Sequence, residues 1–101
     1  AMFHVNVTTI EPAANHPKAW ALISPSINGG YSGVGAFPNN RPVSFNNQGD
    51  GIGRVSGIAH EVGHNFGIGH QATYDLLGNM TREYAFGLDP WHGPLMGVDF
   101  D

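Results

Sequence analysis

The sequence predicts an α+β domain: a small twisted mixed sheet drawn from the N-terminal half, one helix packed on it, and an irregular C-terminal subdomain. Three observations carry this. Up to residue 46 the apolar residues alternate or fall in short runs bounded by Pro and Gly; from Asp50 their spacing becomes helical; after Gly67 no long periodic segment appears. A chain of 101 residues with 41% hydrophobic content suits one domain spanning 1–101 with a modest core.

The elements follow in order. Phe3, Val5 and Val7 alternate with His4, Asn6 and Thr8, the period of a half-buried strand, and Pro12 stops it. Ala19 to Ile23 is a short apolar run closed by Ser24-Pro25, and its length favours a strand. Val34–Phe37 and Val43–Phe45 read as two further strands across a Pro38-Asn39-Asn40-Arg41-Pro42 turn. Ile52, Val55, Ala59, Val62 and Phe66 then recur in steps of three and four residues, an amphipathic helix from about Gly51 to Phe66. Asp50 is the expected N-cap and Gly67 the expected stop. Thr73 to Leu77 reads as a turn, and Gly87 to Pro94 as irregular.

Composition narrows the function. The formal charge is −4, and the four basic residues, Lys18, Arg41, Arg54 and Arg82, are scattered, so neither nucleic acid nor an anionic membrane is an expected partner. The longest apolar stretch is far too short to span a bilayer. Zero Cys removes disulfides, thiolate nucleophiles and Cys-type zinc sites together. Any metal must therefore sit on His, Asp or Glu.

The chemistry concentrates in His60-Glu61-Val62-Gly63-His64-Asn65-Phe66-Gly67-Ile68-Gly69-His70, the pattern H-E-x-x-H-x-x-G-x-x-H. On a helix His60 and His64 stand one turn apart on one face, so their imidazoles can converge on one zinc ion. Gly67 can adopt the positive φ that breaks the helix and turns the chain back, bringing His70 as third ligand. Three protein ligands leave a fourth tetrahedral position for water, the mark of a catalytic site. Glu61 is placed to take that water's proton as general base. In a chain of this composition the pattern arises by chance with a probability of roughly 8 × 10⁻⁵.

These residues resemble the metzincin superfamily of zinc metallopeptidases. Gly93-Pro94-Leu95-Met96-Gly97 looks like its Met-turn, which by resemblance places Met96 beneath the zinc as an apolar floor for the imidazoles. Within the superfamily the motif is most similar to the reprolysin (adamalysin)-like branch and its bacterial relatives, and Trp91 to Val98 looks like a stretch of secreted bacterial metzincin-like proteins. Gln71 departs from the residues the familiar branches carry after the third His. Val98 stands where some branches place a zinc-binding Tyr, so no tyrosine switch is expected.

The resemblance implies a zincin-type fold and a Zn²⁺ endopeptidase acting on peptide or protein substrates outside the cell. It also implies an upper-rim edge strand within Tyr31–Phe37 along which substrate pairs, and a specificity-pocket wall among Tyr84, Phe86, Leu88 and Trp91. Metzincin catalytic domains are usually longer, so a minimal or partial version is expected. Two readings from other classes remain open: a non-catalytic zinc-binding or interaction domain, and a zinc amidase acting on small or cell-wall amides. Glu61 argues against the first, because it is not a ligand. His4, His16 and His92 lack ligand spacing and read as solvated, and no calcium loop surrounds Asp50, Asp75, Asp89, Asp99 or Asp101.

Overall fold

The computed structural model describes residues 6–26, 29–37, 43–46, 51–89 and 92–97. Its elements are β1 (Trp20–Ile23), β2 (Gly30–Tyr31), β3 (Val43–Asn46), α1 (Ile52–Asn65), β4 (Thr73–Tyr74) and β5 (Met80–Arg82). The architecture is α+β. Most of the strand expected at Phe3–Thr8 lies outside the described residues, and Asn6 to Thr8 is irregular. β1 forms where its apolar run predicts, although Leu22 and Ile23 are exposed.

The first sheet has the order β1-β3-β2. β1 pairs with β3 in parallel, Trp20 opposite Val43, whereas β2 pairs with β3 antiparallel, Tyr31 opposite Phe45. Among the described residues the sheet is therefore mixed, with β2 at one edge. The strand expected at Val34–Phe37 does not form. Its backbone donors are used elsewhere: Gly35 N–H donates to His64 O at 2.8 Å and Phe37 N–H to Asn65 O at 3.0 Å. These bonds satisfy carbonyls that the end of a helix leaves without partners, and they tie the segment after β2 to the last turn of α1.

α1 packs on β3 and reaches β2. Asp50 lies outside the described residues, and the N-cap position is Gly51 at φ 60°, with no side-chain cap. The helix ends at Asn65, one residue short of the expected Phe66, in a Schellman arrangement. Gly67 at φ 90° donates to His64 O at 2.8 Å, and Ile68 N–H reaches Gly63 O at 3.1 Å. Of the expected apolar stripe, Ala59 and Val62 are half-buried, while Val55 and Phe66 are 67% and 46% exposed. Phe66 leaves the helix face to pack on Phe37, with ring centroids 5.1 Å apart.

The C-terminal part is more regular than its sequence suggests. β4 and β5 form an antiparallel hairpin, Thr73 opposite Arg82 and Tyr74 opposite Met80, so of the turn expected at Thr73–Leu77 only Leu76–Leu77, at the tip, is turn. Its tip is built on Asp75, whose carboxylate accepts from Leu77 N–H, Asn79 N–H and the Asn79 amide at 2.9 to 3.0 Å. An isolated bridge joins Asp89 and His92. Among the described residues, no helix is long and apolar enough to cross a membrane. The buried side chains among them are Ala85, Met96, Glu61, His64 and Asn65. Three of these five belong to the motif.

Candidate metal centre

His60 and His64 sit one turn apart on α1, and the Schellman reversal at Gly67 returns the chain so that His70 joins them. Their ring centroids lie 4.7 Å (60 to 64), 4.8 Å (64 to 70) and 5.5 Å (60 to 70) apart. One nitrogen from each lies within 4.8 Å of the other two. Tetrahedral zinc with bonds of about 2.0–2.1 Å sets its nitrogen ligands roughly 3.4 Å apart, so the trio surrounds one metal position and must draw in where its nitrogens stand wider than that.

Hydrogen bonding decides which nitrogens face inward. His60 Nδ1 donates to Leu95 O at 2.8 Å, and His64 Nδ1 donates to Ile68 O at 2.7 Å. A carbonyl only accepts, so both rings carry their proton on Nδ1 and present the Nε2 lone pair. His70 Nδ1 lies 2.8 Å from Glu83 Oε1, which assigns it the same way. His64 Nε2 and His70 Nε2 then face each other at 3.1 Å. At that distance the two nitrogens either share a proton or hold a metal cation between them. This donor set suits zinc, and each imidazole already has the outer hydrogen bond that fixes a ligating histidine.

Met96 is 6% exposed, and its Sδ lies 2.8 Å from where a Cβ on Gly63 would stand. The residue expected beneath the metal therefore packs against the helix between the first two histidines. Its turn closes through Gly97 N–H to Pro94 O at 2.8 Å, and Met96 O accepts from Gln71 N–H at 2.7 Å. Leu95 O orients His60 from the same turn. The methionine turn is thus fastened to the histidine motif at His60 and Gly63 and to Gln71, the residue that follows the motif.

Glu61 is 8% exposed. Gly30 of β2 lies so close that a Cβ there would stand 2.8 Å from both Cγ and Cδ of Glu61. Ser32 Oγ donates to Glu61 O at 2.7 Å. The acid expected to act as base is therefore pinned beneath an edge strand. Of the segment Tyr31–Phe37 expected to supply it only Tyr31 is in the strand, and the rest is turn or irregular.

Two further residues flank the trio: Glu83, which the sequence did not mark, and Tyr84, which it offered only as a pocket-wall candidate. Glu83 follows β5 and reaches His70 only because the hairpin folds back. Tyr84 lays its ring 4.2 Å from His70 and 6.5 Å from His60. Burial, then the charges of Glu83 and Glu61, hold its phenol above the ordinary value of 10.0, so it stays protonated at neutral pH. Asn65, beside the second histidine, is fully buried with neither amide atom paired. His92 is exposed and pairs with Asp89 at 2.9 Å, away from the trio.

A helix carrying two inward-facing imidazoles, a third returned by a glycine reversal and an acid between them define a metal-centre domain of the metallopeptidase kind. Residues 3–71 match the family described as metallo-peptidase family M12B, reprolysin-like. The chain belongs to that family, which implies a metzincin-like fold. No curated protein and no solved structure matches the chain.

Proposed function

We propose that the protein is a zinc-dependent endopeptidase, with His60, His64 and His70 as ligands and Glu61 as general base. The observation that carries this is the pinned Glu61: a buried carboxylate, adjacent in sequence to one ligand, held beneath a sheet edge. Burying a carboxylate is costly without a compensating charge, and a divalent cation at the trio supplies one.

Zinc, when bound, supplies the Lewis acidity that activates water and polarises the scissile carbonyl. Glu61 accepts the proton of the attacking water and delivers it to the departing amine. Among the described residues β2 is the edge strand beside Glu61, which suits an extended peptide adding as a further strand. Met96 supports the ligands from below through Gly63, and the Tyr84 ring walls the site beside His70. An edge that pairs main chain favours peptide or protein substrates over small amides.

The test is fragmentation of an unfolded protein by the zinc-loaded domain, with Glu61→Ala as control. The wild type is expected to cleave, and the variant to keep its zinc while losing about 10²- to 10⁴-fold in rate. An intact substrate with zinc bound would leave the non-catalytic or amidase reading, and full activity in the variant would remove Glu61 as base.

A further inference from the structure

Each putting of an imidazole into the centre needs an anchor on its far nitrogen, and the three anchors differ in kind. His60 and His64 are held by backbone carbonyls of Leu95 and Ile68 and are also fixed by their places on α1. His70 lies beyond the helix, in irregular backbone, and its anchor is a carboxylate, Glu83 Oε1 at 2.8 Å.

Glu83 is itself held in place by backbone pairing on both sides. The Thr73–Arg82 pair brings the end of β5 back to the chain leaving His70. Ala85 N–H then donates to Gln71 O at 2.6 Å. The Tyr84 ring at 4.2 Å covers His70 from the intervening position. The hairpin thus delivers a charged acceptor to the one ligand that no helix orients.

We propose that Glu83 is the positioning residue of the third ligand: its carboxylate holds His70 in the Nδ1–H form, aims Nε2 into the centre and adds negative charge to an otherwise neutral set of three imidazoles. This rests on the reading of the trio as a zinc site. An acceptor that bears charge makes the imidazole a stronger donor to the metal than a carbonyl does, and loss of such a partner commonly costs 10- to 100-fold in metal affinity. Glu83 belongs to the part of the chain beyond the residues matched by the family.

The experiment measures zinc affinity of the full chain by competition with a chromophoric chelator, for the wild type, Glu83→Ala, Glu83→Gln and His70→Ala. Glu83→Ala is expected to bind about 10- to 100-fold more weakly, and Glu83→Gln to fall between it and the wild type, because an amide oxygen still accepts but carries no charge. Imidazole ¹⁵N shifts of the metal-free proteins provide a readout that a general structural role would not move. His70 should be a single Nδ1–H tautomer in the wild type and a mixture in Glu83→Ala.

Zinc affinity of Glu83→Ala within twofold of the wild type, or an unchanged His70 tautomer, would overturn the proposal. Should Glu83→Ala fail to fold, Glu83→Gln decides: affinity equal to the wild type overturns it, and a several-fold loss supports it. Zinc binding that survives His70→Ala undiminished would instead sink the zinc reading of the trio, an outcome distinct from loss in His70→Ala with none in Glu83→Ala.

Discussion

An alanine at position 30 would set its Cβ 2.8 Å from two carbons of the Glu61 side chain, well inside van der Waals contact, so the carboxylate must move. The three atoms nearest that position all belong to Glu61. Gly30→Ala is therefore expected to leave zinc affinity within a few-fold while lowering turnover at least tenfold, a split read by pairing a metal titration with a peptidase assay. Wild-type turnover in this variant would mean that Glu61 has room the packing does not suggest. At this scale the sequence spoke clearly for His60, Glu61, His64 and His70, because helical period and one glycine reversal are local rules. It was silent on Glu83 and on Gly30, since both act through contacts made only after distant segments meet.

The helix was legible as an element because its apolar period runs unbroken for several turns, and its end was legible from Gly67. The edge strand was misplaced by a few residues because Gly35 and Phe37 give their N–H groups to the end of α1, a tertiary choice without a local signature. β4 and β5 escaped notice because Thr73–Tyr74 and Met80–Arg82 are short and exposed throughout, so no alternation marks them. The hairpin tip depends on an ionised Asp75. Its pKa is lowered from the ordinary 3.8, first by the side-chain amide of Asn79 and then by the Asn79 backbone N–H. A lowered folded pKa means the contribution is present above the unfolded value and lost as pH falls through the folded one. The tip should therefore stay ordered down to pH 3.8 and loosen only below it. Amide shifts of Leu77 and Asn79 followed through an acid titration check this, and a midpoint above 3.8 would contradict it.

Over the whole molecule, the buried side chains among the described residues are mostly polar and belong to the motif, with Ala85 and Met96 the apolar ones. A centre of this kind gains much of its cohesion from whatever binds the three Nε2 atoms. A ligand present at a thousand times its Kd adds about 4 kcal/mol to stability. In a domain of this size about 1 kcal/mol moves Tm by roughly 4–8 °C. Removing metal with a chelator is thus expected to lower the unfolding midpoint by ~15 °C or more in a calorimetric scan. An unchanged midpoint would show that the fold stands without the ion.

The Met96 sulfur resting where a Gly63 side chain would begin has a consequence for inheritance. The two positions descend as a pair: a lineage that acquires a methyl group at 63 comes under pressure to shorten or redirect the side chain at 96, and a lineage that keeps a bare 63 is free to keep the long thioether. Aligned relatives should show these two sites changing together, although much of the chain separates them.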